Sequence, residues 1–187
     1  MNAPLLVTFV GVPGSGKTYF ATRLTERLHA VRLNSDAMRL AIFGSLDAIE
    51  KAYQERPRQV NSYVFGAMDY VARELLHAGT SVVYEGIQRT KSDRTHMEQL
   101  AGAAGARIVL VSVTVDEEVA INRTINRPAD RQTRQFDEAK AREVVTHFRE
   151  HTEPFDDLNY VINIDGTHTF AEQYASFQAQ LSQPTVS

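Results

Sequence analysis

Lys17 and Thr18 close the run Gly11-Val12-Pro13-Gly14-Ser15-Gly16-Lys17-Thr18, whose residue types and spacing suit the holding of phosphate. Gly14 and Gly16 admit backbone conformations closed to residues with a Cβ, so successive N–H groups can turn inward around an anion. The helix that follows adds the positive end of its dipole. Lys17 brings a compact cation to the outer phosphates. Thr18 offers its hydroxyl to Mg2+, a hard ion that keeps most of its waters. Gly11, Pro13, Gly14, Ser15, Gly16, Lys17, Thr18 and Tyr19 are therefore the first candidate nucleotide contacts.

Phosphate chemistry needs more than a cradle. Moving a phosphoryl group is mostly positioning and charge stabilisation, with a carboxylate to orient the attacking hydroxyl and take its proton. Three acids end apolar runs: Asp36, Glu85 and Asp116. Asp36 is the preferred base, although Asn34-Ser35-Asp36 also suits a helix cap. Arg39, one helical turn on, can face the same site and hold substrate or the moving group. Glu85 precedes Gly86, where backbone can approach a ligand closely. It is a candidate for substrate or for metal-bound water. Asp116 is followed by Glu117-Glu118, so it reads as a helix cap. Arg89, in the loop from Gly86 to Arg94, is a further substrate candidate. Arg123, Arg127, Arg131 and Arg134 bracket Pro128, and read as a lid whose planar forks match phosphate oxygens.

The elements that must carry these residues alternate. Residues 5–10, 31–33, 81–85, 107–115 and 160–164 read as strands. Helices are expected over residues 19–29, from Ala37 to Gly44, over 57–77 and 91–104, from Glu117 up to a break at Arg127, and over 136–151 and 170–181, with residues 46–55 a further helix or an irregular cap. In the helix over 57–77 Val60, Val64, Met68 or Ala67, Val71 and Leu75 are expected along the buried face. Strands alternating with helices specify an α/β fold, a parallel sheet covered on both faces. In such sheets ligands sit beyond the carboxyl ends of the strands.

Composition narrows the rest. At 187 residues the chain is expected to be one domain, residues 1–187. A net charge of −3 gives no global basic field for a long nucleic acid, which tilts the expected substrate towards a small molecule. With no cysteine there is neither a disulfide frame nor thiolate chemistry. No apolar run approaches the ~20 residues of a membrane span, and a cytoplasmic location is expected. Oligomeric state is not legible.

With these residues in view, the chain resembles the P-loop kinases of the nucleoside-monophosphate-kinase-like group. Within it, the branch of polynucleotide 5′-hydroxyl kinase, chloramphenicol phosphotransferase and zeta toxins is most similar. The resemblance rests on Gly11 to Thr18, Asn34-Ser35-Asp36-Ala37-Met38-Arg39, Glu85-Gly86 and Arg123 through Arg131. It implies a P-loop NTPase three-layer sandwich with strand order 2-3-1-4-5 and an arginine lid. It implies ATP and Mg2+ as cofactors and transfer of the γ-phosphoryl group to a hydroxyl on a small molecule or a nucleic-acid 5′ end. Asp36 then matches the catalytic acid and Arg39 a substrate-side arginine. Arg123 and Arg127 match lid arginines near adenine and phosphates, with Arg131 a further lid candidate. Asp165-Gly166-Thr167 falls where such kinases touch the adenine. Many relatives carry Asp where this chain has Glu85.

Rival readings attach to two motifs. Thr90-Lys91-Ser92-Asp93 looks like the base-reading element of GTP switches, but it follows a loop and lacks a companion Asp-x-x-Gly element. His147-Phe148-Arg149-Glu150-His151 spells an inverted zinc-protease pattern, but no third ligand is evident and a polar helix end explains it. A nucleotide-binding or NTP-hydrolysing regulatory module without an acceptor remains the alternative to a kinase.

Overall fold

The computed structural model describes residues 3–128 and 136–183. The expected lid residues Arg131 and Arg134 lie outside the described residues.

Five strands form one parallel sheet in the order β2-β3-β1-β4-β5. They are β1 (Leu5–Val10), β2 (Val31–Asn34), β3 (Val82–Glu85), β4 (Arg107–Thr114) and β5 (Val161–Asp165). The expected order is thus found. β1, β3 and β4 lie inside the sheet and are buried along most of their length, which is why they read as unbroken apolar runs. β5 is an edge strand and alternates buried with exposed positions.

The helices are α1 (Lys17–Leu28), α2 (Ser35–Phe43), α3 (Leu46–Glu55), α4 (Pro57–His77), α5 (Lys91–Ala103), α6 (Glu117–Ile125), α7 (Glu138–Glu150) and α8 (Phe170–Leu181). Strand residues alternate between the two faces, so Val7 and Leu6 enter different cores. Val7, Phe9, Val111 and Ile164 pack with Phe20 and Leu24 of α1 and Phe177 of α8. Leu6, Val82 and Tyr84 pack on the other face with Val64, Met68 and Leu76 of α4 and Leu100 of α5. A small third core joins Ala120 and Ile121 of α6 to Ala141 and Val145 of α7.

The stripe on α4 differs from expectation. The buried positions are Val60, Val64, Met68, Ala72 and Leu76, while Val71 and Leu75 are only half-buried. A four-residue step overshoots the 3.6-residue turn, so this stripe winds around the helix. It can do so because α4 packs first on α2 and α3, then on β3 and α5.

Register brings the strand ends together. Asn34 pairs with Glu85, Val10 with Ser112, and Thr114 with Asp165. From β1 the chain crosses over β3 to reach β2, and from β3 it crosses over β1 to reach β4. The strand order therefore reverses beside β1, and a crevice opens at that switch point.

Candidate active site

The phosphate loop leaves β1 at Gly11 and enters α1 at Lys17. Its glycines are required by contact as well as by torsion. A Cβ on Gly14, at φ +79°, would lie 2.1 Å from the Ala120 carbonyl of α6. A Cβ on Gly166 would lie 2.0 Å from the Ser15 carbonyl. The loop is therefore wedged between α6 and the turn after β5. Arg123 of α6 locks the wedge by donating from Nη1 to the Gly166 carbonyl at 2.8 Å.

A cleft of about 560 Å3 opens over this loop. Its walls bring together Gly11, Pro13, Gly14, Gly16, Lys17, Thr18, Tyr19, Asp36, Arg39, Glu85, Arg89, Arg123 and Arg127, residues up to 116 positions apart. Ser15 and Gly166 stand behind the wall. Ser15 is fully buried and its N–H bonds Val12 O at 3.1 Å, closing the loop on itself. Tyr19 is 44% exposed and stacks under the Arg23 guanidinium at 3.8 Å.

Lys17 folds over its own loop, donating to the carbonyls of Gly11 at 2.7 Å and Val12 at 2.8 Å. Burial and the neighbouring Arg127 cation lower its pKa to about 8, against the opposing pull of Glu85. Thr18 presents its hydroxyl at the surface of the first turn of α1.

Asp36 does not cap α2. Asn34 does, accepting from the N–H of Asp36 at 3.1 Å and of Ala37 at 2.9 Å. Such a cap stabilises a helix start by about 1 kcal/mol and here leaves the Asp36 carboxylate free of backbone duty. That carboxylate, 59% exposed, instead accepts from Arg39 Nη1 at 2.7 Å. Arg39 is 12% exposed and further tied to Tyr53 of α3 at 2.9 Å. Asn61 of α4 holds Tyr53 in turn at 2.7 Å.

Glu85 ends β3 on the cleft floor. Its carboxylate accepts from Nε of Arg32 on β2. The fixed carboxylate is thus already partnered, which the sequence did not disclose. Asp116 stands at the start of α6 without the expected side-chain cap bond, and it is not among the cleft-lining residues.

Arg89 closes the far end. Its guanidinium lies 4.6 Å from the ring centre of Phe148 on α7. Its Nε and Nη1, and Oε1 of Gln88, are buried and have no hydrogen-bond partner among the described residues. Behind them Arg94, 4% exposed, donates to the carbonyls of Gln88, Arg89 and Pro154. Arg32, Tyr53, Asn61, Gln88 and Phe148 were missed from the sequence. Of these only Arg32, a cation inside an apolar strand, carried a signal there.

The two rival motifs have other employment. Thr90 and Asp93 form a reciprocal capping box at the start of α5, at 3.1 and 2.9 Å. His147 and His151 stack on each other with ring centres 4.0 Å apart.

The donor set fits Mg2+ of the kind carried in by phosphates. Thr18, exposed in the first turn of α1, and Glu85 both line the cleft. Among the described residues no three His, Cys, Asp or Glu side chains group as a metal cage.

Residues 6–153 match the family described as AAA domain. The chain belongs to that family. Adenylate kinase of Thermus thermophilus is 28% identical over 190 aligned positions, covering 97% of this chain and 99% of its own. Adenylate kinase of Xanthobacter autotrophicus is 25% identical over 132 positions, 68% of each chain. Among solved structures, a gluconokinase from Sinorhizobium meliloti superposes with a TM-score of 0.67 at 18% identity, covering 97% of this chain and 94% of that one. A candidate kinase from Chloroflexus aurantiacus reaches 0.70 at 20% identity, covering 98% and 100%. The fold of this AAA domain member is the α/β P-loop kinase fold, with the parallel order 2-3-1-4-5. Among the described residues, none of its helices is long and apolar enough to cross a membrane.

Proposed function

We propose that this single-domain, cytoplasmic protein transfers the γ-phosphoryl group of ATP to an acceptor hydroxyl. The observation that carries the reading is the placement of Asp36 and Lys17 on one cleft, with Asp36 oriented by a tethered arginine. The backbone of Gly14 to Thr18 holds the β-phosphate. Gly11, Pro13, Ser15, Tyr19 and Gly166 shape the nucleotide end around it. Lys17, Arg127 and Arg131 stabilise charge on the moving group, and Arg123 orders the turn beside the nucleotide. Thr18 would hold Mg2+, whose charge would offset that of the outer phosphates.

Asp36 accepts the proton as the acceptor oxygen bonds to the γ-phosphorus and the bond to the β,γ-bridging oxygen breaks, releasing ADP. Arg39, Glu85 and Arg89 surround the acceptor. Ser35-Asp36-x-x-Arg39 supports the polynucleotide kinase, chloramphenicol phosphotransferase and zeta-toxin branch. The net charge of −3 favours a small acceptor over a 5′-hydroxyl end.

A phosphate acceptor is the second reading. It is favoured by the near full-length match to adenylate kinases and by two arginines, Arg39 and Arg89, on the acceptor side. The chemistry separates the two, because a phosphate is already ionised and needs no base.

The test is transfer of labelled γ-phosphate to a 5′-hydroxyl oligonucleotide, hydroxylated antibiotics, D-gluconate and AMP, with Lys17→Ala as control. Label on a hydroxyl acceptor, falling about 10²- to 10⁴-fold in kcat in Asp36→Asn with ATP affinity unchanged, supports the proposal. Label on AMP alone, with Asp36→Asn as fast as wild type, overturns the hydroxyl reading.

A further inference from the structure

We propose that Arg32 is a positioning residue for the nucleotide cleft: it holds the Glu85 carboxylate away from Lys17, so that the Lys17 ammonium stays available to phosphate. The inference rests on the nucleotide end of the reading above and on no assignment of the acceptor.

The geometry begins in the sheet. Asn34 of β2 pairs with Glu85 of β3, and Arg32 pairs with Val83. Side chains two residues apart on a strand share a face, so Arg32, Asn34 and Glu85 stand on the same side. Arg32 is therefore the diagonal neighbour of Glu85, and its long stem can run along the sheet to reach it. Its Nε donates to one carboxylate oxygen of Glu85.

Burial makes the contact consequential. Glu85 is 9% exposed, and an ionised carboxylate at that depth needs a partner. Among the described residues its carboxylate has no other hydrogen bond than the one from Arg32. Arg32 is 29% exposed and is not among the residues lining the cleft. It therefore acts on the cleft only through Glu85.

Glu85 and Lys17 line the same cleft and attract each other across it. Lys17 is held by two neutral carbonyls, contacts that a phosphate can displace. An unrestrained Glu85 would offer the same ammonium a charged partner. Charge-assisted bonds are roughly twice as strong as neutral ones, so that pair would compete with ATP. Arg32, by satisfying Glu85 from behind, removes the competitor while leaving its charge in place.

The experiment is a titration of a fluorescent ATP analogue in EDTA, which isolates the phosphate contact of Lys17 from any metal. Arg32→Gln should bind at least fivefold more weakly than wild type. Arg32→Gln/Glu85→Gln should return to within twofold of wild type, and Arg32→Lys should fall between. Thermal melts report the folding of each variant separately. Wild-type affinity in Arg32→Gln would overturn the proposal. So would a double variant as weak as Arg32→Gln, which would make Arg32 a merely structural residue. Absence of binding by the wild-type protein would overturn both this inference and the nucleotide reading. A failed search for an acceptor would leave this inference standing.

Discussion

Arg39 Nη1 and Asp36 Oδ1 lie 2.7 Å apart, one turn along α2, and the arginine is anchored from behind by Tyr53. The carboxylate at the mouth of the cleft therefore has its orientation set from α3 and α4. Arg39→Lys keeps the charge and loses the fork that reaches Asp36 and Tyr53 together. Hydrogen bonds to charged groups contribute about 1.5–3 kcal/mol, so acceptor kcat/KM should fall roughly ten- to a hundredfold. ATP affinity should stay unchanged, and steady-state kinetics with both substrates varied will check the split.

Lys17 predicts a pH dependence. Its pKa is lowered to about 8 by burial and Arg127, so the ammonium is intact below that pH and lost above it. Nucleotide affinity should be flat up to about pH 7.5 and decline as pH rises through 8. Lys17→Arg, charged throughout, should lose that break. The stability effect has the opposite sign. An ordinary lysine keeps its proton to about 10.4, so between 8 and 10 the unfolded chain binds more protons than the native one. The contribution of Lys17 to folding stability therefore rises with pH across that window. Nucleotide titrations and melts from pH 7 to 10 check both signs.

Gly166 predicts a packing defect with a functional readout. A methyl there would meet the Ser15 carbonyl at 2.0 Å, backbone against backbone. Gly166→Ala should push the turn after β5 off the phosphate loop and break the Arg123 bond to its carbonyl. The expected outcome is weaker ATP binding together with a melting temperature lower by several degrees, at about 2–4 °C per kcal/mol for a chain of this size. Gly102 serves as the control, because among the described residues a methyl there would have no atom within 4 Å beyond its chain neighbours and its own helix backbone. Gly102→Ala should leave ATP binding unchanged and, lying inside α5, should hold or slightly raise the melting temperature.

Tyr84 predicts a stability effect away from the chemistry. Its hydroxyl donates to Asp69 at 2.7 Å, and Asp69 also meets His96 at 2.8 Å, joining β3, α4 and α5. Burial and the Asp69 carboxylate push the Tyr84 hydroxyl far above its ordinary pKa, so it stays protonated and donating. Tyr84→Phe removes the donor and strands part of a mostly buried carboxylate. A loss of about 1–3 kcal/mol is expected, read by denaturant unfolding.

Much of this protein was legible in the order of its residues. The phosphate loop declared itself because glycine spacing, Lys17 and Thr18 act within one turn of chain. The five strands followed from their apolar runs to within a residue at either end. Such signals are local, and local geometry depends on neighbours in sequence. The charge state of the candidate site is another matter. That Arg32 satisfies Glu85 and that Phe148 backs Arg89 are pairings across 53 and 59 residues of chain. They arise when parallel strands set their register and helices dock on the sheet. Side chains three residues apart must meet in any helix, whereas those brought together by packing meet only in this one fold.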